Sequence, residues 1–310
     1  MMNPTWVSMV NAAWFGAYGH GEGRHLLGYP AEIDWPQIEA DFQKCRENFV
    51  QVVRAFIFEN LDGCIKIGSI WDVAPETLLN LERLKQLLLK YQLKLAAVLF
   101  EFKNDEAQPH LPDFFNVTPM RMVIDTFIRQ MREVLWSIDL HNEIDYLHLV
   151  RKVALDQLHQ VIRDYRAVIK LIAPDLPYTC STGWKGGYWA RRGEIGAADL
   201  DFIEVHHYTH NHGEPWDDKN PLSLCGLEKL NRPVLLGEFK TDDFVKYVAQ
   251  SRERGFFGAA PVDANLECLG TPSGLIRMQW PDQRGVAEPV TQIDLVGDRA
   301  VLVPDFRRIG

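Results

Sequence analysis

Val50-Gln51-Val52-Val53-Arg54-Ala55-Phe56, a stretch opened by Pro75-Glu76 and carrying Leu78, Leu81, Leu84, Leu88 and Tyr91, and then Leu93–Phe100 form the unit that decides the fold. The outer pieces are short apolar runs rich in β-branched and aromatic residues, as buried strands are. Between them the apolar residues recur at threes and fours, the spacing of one helix face. Strand, helix and strand in that order make a parallel βα unit, because parallel neighbours need a crossover connection.

The alternation continues in both directions. Before the unit, Trp6–Asn11 reads as a strand, and Asp34-Trp35-Pro36 starts a helix in which Asp can cap, Pro suits the first turn, and Ile38, Phe42, Cys45 and Phe49 share a face. After it, Thr118-Pro119 opens a helix with Met120, Val123, Ile124, Phe127, Ile128 and Met131 inward, followed by strand Val134–Leu140. Helix Val153–Ala173 precedes strand Tyr178–Thr182, and a short helical piece before Asp199 precedes strand Phe202–Tyr208. Leu222–Leu230 precedes Pro233–Glu238, and Asp242–Arg254 precedes Phe256–Pro261. Eight such strands close a (β/α)8 TIM barrel of the α/β class, expected over residues 1–265 as one domain. No eighth helix is evident. Gln292–Val296, Gly297-Asp298 and Arg299–Val303 read as a hairpin within a small C-terminal extension, residues 266–310, expected to pack on the barrel.

Composition narrows the partners. Lys and Arg number 33 against 42 Asp and Glu, a net charge of −9, which argues against nucleic acid, since phosphate recognition needs a basic surface. No window approaches the roughly 18 continuous apolar residues of a membrane span. The apolar stretch from Trp6 to Phe15 is broken by Ser8 and Asn11 and lacks a preceding basic region, so no signal peptide is expected in the chain as given, and a cytoplasmic location is favoured. Cys45, Cys64, Cys180, Cys225 and Cys268 include no Cys-x-x-Cys spacing and read as buried free thiols.

In such a barrel the reactive groups stand at the C-terminal strand ends, where loops converge on a concave floor. There the sequence places Trp14, Arg54, Glu101, Asn142-Glu143, Trp184, His206-His207-Tyr208 and Glu238. Glu143 and Glu238, on the fourth and seventh strands, face each other across the mouth. A single Glu after a strand is usually a solvated loop charge; the local contexts here argue for more. Trp136–Asp145, with its Asn142-Glu143 pair, and Arg232–Phe239, with Gly237-Glu238-Phe239, resemble two motifs of the clan A retaining glycoside hydrolases, the superfamily of the family 5 cellulases and mannanases. Asp201–Tyr208 resembles the clan's sixth strand with its His-x-Tyr ending, and Val52-Val53-Arg54 its second.

The resemblance spans roughly residues 5–262 and implies an O-glycosidase without a cofactor or metal, acting on an oligo- or polysaccharide. It implies Glu143 as acid/base and Glu238 as nucleophile, with Arg54 and Tyr208 donating to Glu238, His206 beside Glu143, and Asn142 on the sugar 2-hydroxyl. Trp14 and Trp184 are the expected sugar platforms, because pyranose faces stack on aromatic rings. Two positions depart from the pattern: strand eight, Phe256–Val262, lacks the clan's Trp, and strand three, Ala96–Glu101, lacks its His. Two rival readings stay open. One is a carbohydrate-binding barrel without turnover. The other is a metallohydrolase using the His cluster of His206, His207, His210 and His212, although adjacent His residues on a strand point to opposite sides.

Overall fold

The computed structural model describes residues 7–11, 33, 35–48, 50–102, 109–183, 199–206, 232–239, 251 and 256–260, and the backbone of 290–296 and 299–304. Its elements are, in order, β1 (Val7–Asn11), α1 (Trp35–Glu47), β2 (Val52–Glu59), β3 (Cys64–Ile67), β4 (Ile70–Val73), α2 (Pro75–Lys90), β5 (Lys94–Glu101), α3 (Leu111–Phe114), α4 (Val117–Met131) and β6 (Leu135–His141). They continue with α5 (Asp145–Leu149), α6 (Leu155–Ile172), β7 (Tyr178–Thr179), β8 (Ile203–His206), β9 (Val234–Glu238), β10 (Gly258–Ala259), β11 (Val290–Val296) and β12 (Arg299–Pro304).

Eight parallel strands lie in the order β7-β6-β5-β2-β1-β10-β9-β8. The two ends of that order meet just past β7. Thr182 bridges Val205 in parallel, its N–H donating to the Glu204 carbonyl at 3.1 Å while His206 N–H donates to the Thr182 carbonyl at 2.8 Å. The sheet is thus a closed barrel, with the eight strands that the alternation predicts.

Strand alternation sorts the side chains into two cores. Val53, Ala55 and Ile57 of β2 join Leu81, Leu84 and Leu88 of α2 and the inward face of α4 in the shell between sheet and helices. Val52, in register between Met9 and Lys94, turns instead into the barrel with Val7, Met9, Ala96, Trp136, Phe202, Leu235, Phe257 and Ala260. Trp136, Phe202 and Phe257 form a ring cluster there, with centroids 5.6–6.2 Å apart. That apolar plug fills the barrel, so polar residues further along the same strands emerge at its C-terminal mouth.

Helix α4 buries the six residues its periodicity marks, and the Asn116 side chain caps it by accepting from Thr118 N–H at 3.1 Å. The stretch after β2 holds the antiparallel hairpin β3–β4, which buries Trp71 and Val73 and exposes Ile65, Ile67 and Ile70. The C-terminal hairpin is present as β11–β12, antiparallel with Val296 opposite Arg299. The helices expected at 222–230 and 242–254 lie outside the described residues apart from Ser251. Among the described residues no helix is long and apolar enough to cross a membrane.

The ring cluster gives a direct test of the barrel interior. Phe202→Ala should lower the free energy of urea unfolding by about 3–5 kcal/mol, as removal of a fully buried ring does. A loss below about 1 kcal/mol would mean that this ring does not fill the barrel.

Candidate active site

Arg54, fully buried in the middle of β2, organises the mouth. Nη1 donates to Glu238 Oε1 at 2.8 Å and to Asn11 Oδ1 at 2.9 Å. Nη2 donates to Asp139 Oδ2 at 2.8 Å, Asn142 Oδ1 at 3.1 Å and Ser181 Oγ at 3.3 Å. Nε stands 2.7 Å from Glu204 Oε1. One planar fork therefore reaches residues of β1, β6, β8 and β9, a geometry that a lysine ammonium could not reproduce.

The neighbours are fixed in turn. Asn11 Nδ2 donates to the carbonyls of Gly237 (2.7 Å) and Ala260 (3.0 Å), tying the backbone next to Glu238 to β1. Asp139 Oδ1 accepts from Ser181 N–H at 2.9 Å. The Ser181 hydroxyl accepts from Glu143 N–H at 3.2 Å and donates to the His141 carbonyl at 3.3 Å. Asn142 Nδ2 donates to Glu101 Oε1 at 2.8 Å, so one amide hydrogen of the residue expected at the sugar is held by the end of β5.

Glu143, two residues past β6, has φ 48°, a left-handed backbone that is uncommon for a residue with a side chain. That turn brings its carboxyl back over the mouth. His206 Nδ1 lies 3.1 Å from Glu143 Oε1 and 3.4 Å from Glu238 Oε2. The donor atoms of Glu143, His206 and Glu238 are all within 4.8 Å of one another, although 95 residues of sequence (238 − 143) separate the two carboxyls. That spacing would suit a shared cation, although one Glu238 oxygen already accepts from Arg54.

Charge and burial pull against each other throughout. Burial would push the Arg54 guanidinium down, yet Glu204, Glu238 and Asp139 carry it above its ordinary value. Burial, reinforced by Glu204, raises Asp139 to about 6 against the pull of Arg54. Burial also works to raise Glu204, but Arg54 and His206 outweigh it and hold its carboxyl below the usual range. His206 is opposed by burial and raised to about 10 by the Glu238 charge and by its contacts with Glu143 and Glu204.

Of the residues singled out from sequence, the structure brings Glu143, Glu238, Arg54, Asn142 and His206 into one cluster. Tyr208, Trp14 and Trp184 lie outside the described residues, as do His207, His210 and His212. Trp71 is buried, with Nε1 donating to Asp113 at 2.8 Å, and so packs the hairpin. Sequence reasoning missed Asn11, Asp139 and Ser181. The signal was faint: polar residues on inward positions of strands that are otherwise apolar.

No protein-family model matches the chain, and no curated protein matches it. Solved structures do. The β-1,4-mannanase of the common sea hare Aplysia kurodai is similar over 95% of this chain and 99% of that one, with 16% identity and a TM-score of 0.65. The β-mannanase of the blue mussel Mytilus edulis is similar over 91% and 94%, with 12% identity and a TM-score of 0.66. An exo-β-1,4-mannosidase from Opitutaceae bacterium strain TAV5 covers 83% of this chain against 52% of its own, with 18% identity and a TM-score of 0.57. At these identities the shared property is the barrel fold.

Gly183 supplies a test of the geometry. A Cβ there would run into the Glu143 carboxyl, so only glycine leaves that carboxyl its place. In a crystal structure of Gly183→Ala the Glu143 side chain should be turned away and its 3.1 Å contact with His206 lost. An unchanged contact would remove the steric role of Gly183.

Proposed function

We propose that the protein is a retaining glycoside hydrolase, with Glu238 as nucleophile and Glu143 as acid/base. The observation that carries this reading is the pair of carboxyls at the strand ends, within 4.8 Å by their nearest donor atoms, one of them held by Arg54. Retaining enzymes need carboxyls about 5–5.5 Å apart, because the nucleophile and the acid must reach the same glycosidic bond with no water between them. Inverting enzymes need about 6.5–9.5 Å.

The chemistry follows from that placement. A Glu238 oxygen attacks the anomeric carbon, the bond to the leaving oxygen breaks, and Glu143 delivers its proton to that oxygen. Water then gives a proton to Glu143 and its oxygen to the anomeric carbon, releasing Glu238 and restoring both carboxyls. Arg54 holds Glu238 in line through a fixed hydrogen bond and does not move during the cycle. Asn142, anchored through Oδ1 to Arg54 and through one amide hydrogen to Glu101, has its other amide hydrogen for the sugar 2-hydroxyl. Tyr208, Trp14 and Trp184 complete the proposed sugar contacts. The names of the similar barrels make β-1,4-linked mannan and mannooligosaccharides the first substrates to test.

Glu238→Ala should abolish turnover in a folded protein, and azide should restore part of it by forming a glycosyl azide of inverted configuration. Normal turnover in that variant would exclude Glu238 from the reaction. Glu143→Gln should lower turnover of natural glycosides by about 10²–10⁴, the usual contribution of a general acid, while sparing the glycosylation step with a dinitrophenyl glycoside whose leaving group needs no proton. Equal losses on both substrates would argue against the acid role.

A further inference from the structure

Glu204 stands two residues before His206 on β8 and is as deeply buried as Arg54's other partners, yet it reaches neither proposed reacting carboxyl through any described bond. Its Oε1 faces two nitrogens instead, Arg54 Nε at 2.7 Å and His206 Nε2 at 3.8 Å. The space it occupies exists because residue 237 is glycine: a Cβ there would stand 2.5 Å from Glu204 Oε1 and 2.6 Å from its Cγ. The glycine beside the proposed nucleophile therefore serves a carboxylate on the neighbouring strand.

The imidazole between these groups has two distinct edges. Nδ1 faces oxygens of both Glu143 (3.1 Å) and Glu238 (3.4 Å), which are acceptors when ionised, so this nitrogen carries a hydrogen. Nε2 faces Glu204 and, at 3.3 Å, Arg54 Nη2. Nη2 has two hydrogens and nearer acceptors for them, Asp139 at 2.8 Å and Asn142 at 3.1 Å. A bare Nε2 could accept from Arg54 Nη2 but would turn a lone pair toward the Glu204 charge, whereas a protonated imidazole sets a positive charge 3.8 Å from that carboxylate.

We propose that Glu204 is a positioning residue that holds His206 as an imidazolium, placing a fixed cation between Glu143 and Glu238. This rests on the reading of those two as the reacting pair. In the retaining cycle the pair carries one negative charge at each resting stage: on Glu238 in the free enzyme, and on Glu143 once Glu238 is esterified. A cation at 3.1 and 3.4 Å from the two faces that charge at both stages without moving. The groups facing His206 are Glu143 beyond β6, Glu238 on β9, Glu204 on its own strand and Arg54 on β2; the Glu238 charge and the contacts with Glu143 and Glu204 outweigh burial and one guanidinium, in keeping with an imidazole raised to about 10.

The test is nitrogen NMR of the full chain with ¹⁵N-labelled histidine, the His206 signals being assigned by their loss in His206→Asn. Both ring nitrogens should stay protonated through neutral pH in the native protein. Glu204→Gln, which removes charge and keeps shape, should lower the titration midpoint by about one pH unit or more. It should also cut turnover by about tenfold with little change in KM, and Glu204→Asp should restore part of both. Should Glu204→Gln fail to fold, Gly237→Ala displaces the same carboxylate from the other side and must lower the midpoint too. A neutral His206 at pH 7 in the native protein, or an unchanged midpoint in the folded variants, would overturn the proposal. A protein with the expected titration but no activity on any glycoside would overturn the proposed function and leave the hold of Glu204 on His206 standing.

Discussion

A guanidinium sealed inside a barrel is the constraint from which the rest of the structure follows. Removing a charge from water costs several kcal/mol even after relaxation, so Arg54 is tolerable only where donors and charges are matched on every side. The barrel does this by drawing one partner from almost every direction: Asn11 from β1, Asp139 from β6, Ser181 after β7, Glu204 from β8 and Glu238 from β9. Closing the sheet and neutralising the arginine are therefore a single problem. A barrel with slipped register would leave both a gap in its hydrogen bonds and an unpaired buried cation.

Satisfying the arginine creates a second problem, since several carboxyls are now crowded into one dry space. Two of them respond in opposite senses, Asp139 being raised to about 6 and Glu204 held low, as expected when like charges share too little countercharge. Backbone features absorb the steric side of this crowding. Gly183 and Gly237 each lack the Cβ that would strike a glutamate, and Glu143 accepts a left-handed backbone to bring its carboxyl over the mouth. Such a residue costs on the order of 1–3 kcal/mol, which the surrounding hydrogen bonds must offset. Ser181 is central to that support because its one hydroxyl serves Arg54, the Glu143 amide and the His141 carbonyl together.

What could be read from sequence divides along the same physical line. The shell between sheet and helices was legible because burial on one helix face imposes a period; α4 buries the residues its spacing marks. The two clustered carboxyls stand out in the sequence because Asn142-Glu143 and Gly237-Glu238 follow apolar runs, where a charge is conspicuous. Asp139 and Asn11 were not, because each sits inside a strand at a position that alternation allows to be polar. The β3–β4 hairpin escaped notice although Gly68-Ser69 between two alternating runs is a two-residue turn signal; Gly68 takes φ 63°, the conformation for which such a turn recruits glycine.

The mouth thus separates two kinds of residue by their supports. Arg54, Glu204, His206 and Glu238 are carried on strands locked on both sides by parallel pairing, and their positions are determined by the register of the barrel. Charge placement must be accurate to a fraction of an ångström to stabilise a transition state, and rigid strands give that accuracy. The segments that connect strands tolerate change in length and composition. A chain with 12–18% identity to its structural neighbours can therefore retain the barrel while its connections change. Loss of any one strand-borne partner of Arg54 would therefore disturb the carboxyls themselves.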